Sequence, residues 1–125
     1  STAMTPAASA ALIKVLEVIE TEAKIREKMW RNVEHMRSGF HELGFDTLTS
    51  ETQIIPILIG KDEDAIQFTR KLFDNGIFGP CVRWPAVEKG KARIRFTVMA
   101  THTEEQINYL LKVCGKIGEE LGILK

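Results

Sequence analysis

One long amphipathic stretch at the beginning of the chain constrains the fold more than any other feature. Thr5-Pro6 is typical of a helix start, because threonine accepts hydrogen bonds from the free amides of the first turn and proline fits the first helical position. A helix over 6–43 is predicted, either unbroken or as two nearly collinear helices with a break near Thr21, and Gly44 is a good C-terminal stop. The apolar residues recur at spacings of three and four: Leu12, Val15, Leu16, Ile19, Ala23, Met29, Val33, Met36, Phe40 and Leu43.

An unbroken helix of this length is too long for one small domain. Residues 6–43 would extend about 57 Å, whereas a compact domain of 125 residues has a radius of gyration of about 14 Å. The helix would extend beyond its own domain, where its apolar stripe would need another domain or another chain to pack against. Because the sequence also begins at Ser1 without an initiator methionine, we expect a piece of a larger protein.

The remaining residues, 44–125, predict a small α/β sandwich. Pro56 cannot donate to a ladder, so the first strand should lie at an edge or carry a bulge. With the long helix, the order of elements predicts a single α+β domain over 1–125, in which a small, mainly antiparallel three-stranded sheet has helices packed on one face. The predicted elements are a buried strand over 53–60, a helix capped by Asp62 and running through Phe73, a strand from Ile77 to Trp84, a half-buried strand over 91–100, and a helix that starts at the Thr103–Gln106 capping box.

Composition and residue spacing argue against several classes of function. Seventeen basic and seventeen acidic residues give a net charge of zero, so no general field attracts nucleic acid or an anionic membrane. No apolar run approaches the roughly 20 residues of a membrane span. Cys81 and Cys114 do not have a CxxC spacing, and no secretory leader is recognised ahead of them. We therefore expect reduced thiols in the cytoplasm. His35 and His41 lack the i, i+4 spacing of a zinc-binding helix, so no metal site is predicted.

The predicted hairpin between the last two strands carries the one constellation with a clear chemical use. If its turn is centred near Lys89, Arg83 and Arg95 lie opposite each other as cross-strand neighbours. Two like charges side by side are unfavourable unless an anion neutralises them, and a carboxylate fits the guanidinium fork. The alternative is that both arginines face water and pair loosely with Glu88 or Glu104.

Four segments occur in a characteristic order: "STAMTPAASAAL" ahead of the long helix, "IIPILIG", "LFDNGIFGPCVRWPAVEKGKARIRFTVMATHT" and "EEQI". Together they resemble, over essentially the whole chain, the C-terminal part of the α-oxoamine synthases. These are pyridoxal-phosphate (PLP) enzymes of the aspartate aminotransferase fold, such as 8-amino-7-oxononanoate synthase, serine palmitoyltransferase and 2-amino-3-ketobutyrate CoA ligase (glycine C-acetyltransferase). The resemblance implies condensation of an amino acid with an acyl-CoA thioester, with PLP as the electron sink.

The resemblance also implies roles for individual residues. Arg95 would hold the carboxylate of the amino acid, and Arg83 would be the second arginine found in 8-amino-7-oxononanoate synthase and serine palmitoyltransferase. Ser1, with Thr2 beside it, matches the position from which one subunit reaches the cofactor phosphate of the other, which implies a homodimer. In the family the Schiff-base lysine, the acid that pairs with the pyridine nitrogen and the stacked histidine all lie upstream of position 1. No lysine of this chain, Lys14 included, matches that lysine motif.

The resemblance therefore predicts a C-terminal domain without its large PLP-binding domain, with no catalytic residue and no bound PLP of its own, inactive alone. In the parent cytoplasmic enzyme it would help to bind an amino acid, and acyl-CoA would be the second substrate. Arg83 argues against 2-amino-3-ketobutyrate CoA ligase, where an aromatic residue is usual, whereas the "EELGIL" tail resembles that ligase and serine palmitoyltransferase. Three other interpretations stay open: a glycine C-acetyltransferase fragment, a stand-alone ligand-binding or regulatory α+β module, and a non-catalytic partner subunit of the same family.

Overall fold

Three helices and an antiparallel three-stranded sheet make up the part of the chain that the structure, a computed structural model, describes: residues 6–124, with side chains from residue 14 onward. The strand order is β1-β3-β2, with β3 in the centre. The helices pack on one face of this sheet, so the predicted fold class is confirmed. The elements are α1 (Pro6–Leu43), β1 (Ile54–Gly60), α2 (Asp62–Asp74), β2 (Cys81–Val82), β3 (Ala92–Thr97) and α3 (Glu104–Glu120).

Helix α1 is a single helix, as the spacing of its apolar residues predicts, and it does not break at Thr21. The Thr21 hydroxyl donates to the Glu17 carbonyl at 2.9 Å, which accommodates this residue within the helix. Residues 14–28 are all exposed, whereas Val33 and Phe40 are buried. The helix therefore joins the domain by its C-terminal half. No helix in the range 6–124 is long and apolar enough to cross a membrane.

The core lies between the sheet and the three helices. Along β3 the side chains alternate as predicted, with Ile94 and Phe96 buried and Arg95 exposed. Phe40 of α1 stacks on Phe96, with ring centroids 5.4 Å apart. Burial of each such side chain contributes about 1.5–3 kcal/mol. This burial fixes the register of the strand, because a shift by one residue would turn Arg95 into the core.

The ends of the two shorter helices follow the predicted chemistry, with one correction. The capping box of α3 forms: Thr103 Oγ1 accepts from the Gln106 N–H at 3.1 Å, and the Gln106 side chain accepts from the Thr103 N–H at 3.0 Å. Asp62, predicted as the cap of α2, is instead the first residue of that helix. Lys61 occupies the cap position and makes no side-chain capping bond. The first turn of α2 nevertheless carries three acidic residues, whose negative charges interact favourably with the positive end of the helix dipole.

The predicted strand from Ile77 to Trp84 is wrong in extent, because only Cys81–Val82 pairs with β3. Pro80 has no N–H to donate to a ladder. Gly79 is buried so tightly that an added Cβ would lie within 3.1 Å of three core side chains. The chain at Gly79 therefore packs against the core, and before β2 only the Pro80 carbonyl continues the hydrogen bonding to β3, by accepting from the Arg95 N–H at 3.0 Å. The other two strands match their predicted ranges to within three residues, and Pro56 lies on an edge strand as predicted.

The predicted register of the hairpin is also wrong. A turn centred near Lys89 would set Arg83 opposite Arg95, but Val82 lies opposite Arg93, which places Arg83 beyond the end of the paired segment. The connection contains two hydrogen-bonded turns, one directly after β2 and one directly before β3. These turns shift the pairing by three residues from the register of one tight hairpin.

Candidate carboxylate-binding site

Arg95 lies in β3 and its side chain is on the face of the sheet away from the core. Its backbone N–H donates to the Pro80 carbonyl at 3.0 Å, and its partner on β1 is Pro56. The side chain is exposed and forms no ion pair with another described residue. Main-chain contacts thus fix the strand, while the donors of the guanidinium group are not taken by any side chain in the described range 14–124 and can serve an external anion.

Arg83 is exposed and directly follows β2, where the chain turns away from the sheet. Its carbonyl accepts from the Ala86 N–H at 2.9 Å, which closes that turn. The strand register does not pair Arg83 with Arg95. Neither Glu88 nor Glu104 forms an ion pair with these arginines in the part of the chain that has described side chains. Both guanidinium groups are therefore free of internal acidic partners there, but they are not cross-strand neighbours.

A cavity of about 630 Å³ lies beside Arg95, next to the part of β3 that the short β2 does not cover. α1, the segment before β2 and the first turns of α3 supply its mostly apolar wall. Among the described residues of this wall none is acidic, and Arg95 is the one with a permanent charge. The lining residues are Met36, Gly76, Ile77, Phe78, Pro80, Arg95, Phe96, Thr97, Met99, His102, Gln106, Ile107, Tyr109 and Leu110. The Arg95 guanidinium group, on the outer face of β3, is therefore not opposed by any acidic residue of the described wall.

The turn after β3 forms one wall of the cavity and is held by side chains. His102 Nδ1 accepts from the Met99 N–H at 3.0 Å, so a neutral ring carries its proton on Nε2. Asn32 of α1 donates from Nδ2 to the Met99 carbonyl at 3.0 Å and to the His102 carbonyl at 2.9 Å. These three contacts tie α1 to the turn and fix the orientation of the imidazole.

Sequence reasoning missed Asn32 and the cavity for a physical reason. Asn32 is one polar position in a long amphipathic helix, and its partners are 67 and 70 residues away along the chain. The cavity is lined by residues that are far apart in the chain, from Met36 of α1 to Leu110 of α3, so no local pattern marks it. The only sequence signal near this site was His102, which directly precedes the capping box of α3.

The described residues offer few groups for a metal or a cofactor. No cluster of three or more metal-ligating side chains occurs among those that were described. No lysine lines the cavity beside Arg95, and Lys89 of the hairpin instead lies 5.2 Å above the Trp84 ring. Ser1 and Thr2, the predicted contacts to a cofactor phosphate, lie outside the described residues.

Both cysteines are free thiols. Cys81 is half-buried in β2, whereas Cys114 is buried in the core. Burial raises the pKa of the Cys114 thiol well above its usual range, so this group stays protonated and acts as a small apolar side chain.

Comparison with known proteins gives consistent matches over most or all of the chain. The family model described as "Aminotransferase class I and II" matches residues 1–113. The 8-amino-7-oxononanoate synthase of Treponema denticola is 39% identical over 124 residues, which are 99% of this chain and 31% of that protein. A Thermus thermophilus protein, named 8-amino-7-oxononanoate synthase/2-amino-3-ketobutyrate coenzyme A ligase, is 39% identical over 125 residues, 100% of this chain and 32% of that protein.

Solved structures agree with these matches. A serine palmitoyltransferase from S. paucimobilis, determined with a bound PLP–myriocin aldimine, superposes with a TM-score of 0.74 at 28% identity. The superposition covers 82% of this chain and 26% of that chain. This chain therefore spans about a third of the length of the curated relatives that it matches, 31% and 32% for the two given above.

Proposed function

We propose that this chain, which belongs to the class I and II aminotransferase family and to its α-oxoamine synthase branch, binds the substrate carboxylate in a PLP-dependent acyl-CoA:amino acid C-acyltransferase. Arg95 carries the proposal: it is a guanidinium group exposed on a fixed strand, beside a cavity in which no described residue is acidic. It also stands where the family resemblance implies that the carboxylate binds.

The chemistry of the guanidinium group suits this role. A carboxylate bound by Arg95 through two parallel hydrogen bonds is fixed in orientation as well as position. Fixing the carboxylate restricts which bond of the adjacent α-carbon faces the reacting group, so Arg95 would contribute to the choice of reaction as well as to affinity. Arg83 is the proposed second cation. Because it lies in a turn outside the ladder, we expect it to contribute less than Arg95.

The reactants proposed for the complete enzyme are an amino acid and an acyl-CoA, with PLP as cofactor. Ser1 and Thr2 are proposed to reach the cofactor phosphate of a partner subunit, so a homodimer and a cytoplasmic location belong to the same proposal. The 125 residues alone are proposed to be inactive, because none of their lysines matches the Schiff-base lysine motif of the family.

A second candidate function is that of a glycine C-acetyltransferase. The name of the Thermus relative favours it, since that name combines 8-amino-7-oxononanoate synthase with 2-amino-3-ketobutyrate coenzyme A ligase. Arg83 favours an enzyme more like 8-amino-7-oxononanoate synthase or serine palmitoyltransferase, because an aromatic residue is usual at this position in the ligases.

An absorbance experiment tests the proposed inactivity. The chain is mixed with PLP and glycine, and a protein-free mixture of the same two compounds is the control, because they also form an aldimine with each other without protein. We expect the two spectra to coincide. A band that requires the protein would contradict the proposal.

A titration with acetate tests the role of Arg95. In ¹⁵N-labelled protein, acetate should shift the Arg95 side-chain Nε signal, and Arg95→Ala should weaken binding at least about tenfold, equivalent to about 1.4 kcal/mol. Arg93→Ala is the matched control, because Arg93 is on the same face of β3 but does not line the cavity. Equal losses in both variants would contradict the assignment. Tight calorimetric binding of free amino acids, independent of Arg95, would instead favour a regulatory module.

Light scattering tests the proposed assembly. The exposed half of α1 carries Val15, Leu16 and Ile19, each more than half exposed, and an uncovered apolar stripe favours association. We expect a dimer or larger species, with Ile19→Asp reducing its mass and the neighbouring Glu22→Gln leaving it unchanged. A monomer at all concentrations would contradict the expected homo-oligomer.

A further inference from the structure

One edge of the central strand β3 is only partly covered. The Arg95 N–H donates to the Pro80 carbonyl at 3.0 Å, but Pro80 has no N–H with which to donate in return to the Arg95 carbonyl. Because the direction of main-chain groups alternates along a strand, the N–H and carbonyl of Thr97 point to the same side as those of Arg95. No main-chain group in the range 6–124 bonds to the Arg95 carbonyl or to Thr97 on this side. Three main-chain groups are therefore open along the edge.

The open edge has a defined length. Pro80 closes one end, and at the other end the Met99 N–H donates to His102 Nδ1 at 3.0 Å. The Val98 N–H lies on the opposite side of β3 and donates to the Gln53 carbonyl at 2.9 Å. The free groups thus belong to one stretch of three residues, 95–97, between two points that are already bonded.

A cavity of about 630 Å³ lies along the open edge. Residues 76–78 line one side of it and residues 95–97 line the other, so the chain before Pro80 leaves β3 instead of continuing beside it. Two apolar side chains at the cavity are exposed: Phe78 is 82% exposed and Met99 is 52% exposed. A strand edge that lies free beside exposed apolar side chains favours pairing with another extended segment.

The open groups define the segment that would pair there. In an antiparallel arrangement, its first residue exchanges two hydrogen bonds with Thr97, and its third residue donates an N–H to the Arg95 carbonyl. Its middle residue lies opposite Phe96, whose side chain is on the core side of the sheet. Opposite residues share a face, so the middle side chain would enter the apolar part of the cavity, which is lined by Met36, Ile107 and Leu110.

We propose that the open edge of β3 binds a short extended segment with an apolar middle residue, and that this segment belongs to the upstream part of the same polypeptide. The matched relatives are about three times as long as the region that this chain shares with them, which is 31% and 32% of their lengths. The inference rests on one part of the proposed function, that these residues belong to a longer protein. It does not use the Arg95 side chain, which lies on the other face of the sheet.

The small size of the contact favours a linked segment over a separate partner. Three hydrogen bonds, each improving binding about fivefold, and one buried side chain give a free peptide only weak affinity after the cost of immobilising it. A linked segment is present at an effective concentration on the order of millimolar. The edge is also within reach, because the 26 residues of α1 between Pro6 and Asn32 extend about 39 Å, which about 12 extended residues span.

Hydrogen exchange on the 125-residue chain tests whether the edge is open. After correction for intrinsic rates, the Thr97 amide should exchange at least about tenfold faster than the Val98 amide, because only the latter is bonded across the ladder. Val98 is the matched reference, since it is the next residue of the same strand segment. Equal protection of the two amides would show that the edge is already covered in this chain, and would overturn the inference.

A capped, uncharged peptide tests the pairing. The probe is acetyl-Thr-Leu-Thr-methylamide, followed by the chemical shifts of ¹⁵N-labelled protein at millimolar concentrations of peptide. It should slow exchange at Thr97 and shift its amide. Methylation of the first N–H of the peptide removes one bond and should weaken binding at least about fivefold. Methylation of the leucine N–H, which points away from β3, is the matched control and should have little effect. Replacing leucine by serine should weaken binding at least about tenfold.

Each result supports or overturns a stated part of the inference. Equal binding of the two methylated peptides, or no binding of the probe, overturns the pairing at the edge. Equal binding of the leucine and serine peptides overturns the preference for an apolar residue. Protection of Thr97 that rises with the concentration of the 125-residue chain assigns the edge to a second copy and overturns the linked segment.

The longer protein tests the occupant directly. In a polypeptide that includes the upstream segment, the Thr97 amide should exchange slowly at every protein concentration, and the probe should not bind. Fast exchange there would overturn the linked segment as the occupant. The acetate titration reports on the Arg95 side chain, whereas the probe carries no charge, so the carboxylate proposal and this inference can fail independently.

Discussion

Replacing Asn32 by aspartate should destabilise the domain more than replacing it by alanine. Asn32 Nδ2 donates to the carbonyls of Met99 and His102 at 3.0 and 2.9 Å, joining α1 to the turn after β3. Asn32→Ala removes two hydrogen bonds of about 0.5–1.5 kcal/mol each, so the loss should be about 1–3 kcal/mol. Asn32→Asp keeps the size of the side chain but sets a carboxylate against two carbonyl oxygens. We therefore expect a larger loss at pH 7.

The pH dependence distinguishes the two Asn32 variants. The two carbonyls disfavour the ionised form of the introduced carboxyl, so its pKa in the folded state should rise above the unfolded value of about 3.9. The folded state then binds the proton more tightly than the unfolded state. Stability is regained as the pH falls towards the raised pKa, because the protonated carboxyl can donate to one carbonyl. The alanine variant has no group that shows this recovery.

Urea unfolding followed by circular dichroism at pH 7 and pH 5, with the unsubstituted chain at each pH as reference, measures both effects. Asn108→Asp is the matched control, because Asn108 Oδ1 lies 2.7 Å from His35 Nε2 and a carboxylate can still accept there. The reasoning is refuted if Asn32→Asp and Asn32→Ala lose equal stability at both pH values, or if neither loses more than the control.

Three further predictions concern the framework of the site. Thr103→Ala should lower the free energy of unfolding in urea by about 1 kcal/mol, because it removes the cap of α3. Thr103→Ser should retain most of that stability, and equal losses in the two variants would contradict the capping role. Gly79→Ala places a Cβ 2.8 Å from Leu72 Cδ1, so overpacking should lower the free energy of unfolding by about 1–3 kcal/mol. Adding Leu72→Val should recover part of this loss. If the effects of the two substitutions on stability are strictly additive, this contact is not the cause. Burial raises the pKa of the Cys114 thiol, so a thiol-alkylating reagent at pH 8 should modify Cys81 before Cys114. Mass spectrometry of the modified chain follows both reactions, and equal alkylation rates at the two cysteines would contradict the burial of Cys114.

The elements that could be predicted from the sequence are those whose signal is local. The three-and-four spacing of apolar residues over 6–43 reflects the period of a helix. The alternation of Ile94, Arg95 and Phe96 reflects the period of a strand. The Thr103–Gln106 capping box is likewise complete within four consecutive residues. In each case the residues that make the structure are close neighbours in the chain, so the sequence alone displays the cause.

The hairpin and the cavity could not be predicted because their causes are not local. The predicted pairing of Arg83 with Arg95 assumed one tight turn, but two turns share the connection and move the register. Gly79, within the predicted strand, packs against side chains of α2 and β3, and the sequence around it does not show these contacts. What remained predictable was that Arg95 faces away from the core, since this follows from alternation within a single strand.

The uncovered half of α1 and the Arg95 site are physically connected through Asn32. Residues 14–28 are exposed, and a helical segment of about 15 residues is only marginally stable in water without tertiary contacts. Any surface that covers this segment therefore stabilises α1 as a whole, including the turn of helix that carries Asn32. Because Asn32 bonds to both carbonyls of the turn after β3, a more rigid α1 also holds one wall of the cavity more firmly. Association along α1 and ligand binding beside Arg95 should therefore strengthen each other, because both are favoured when the same helix is well ordered.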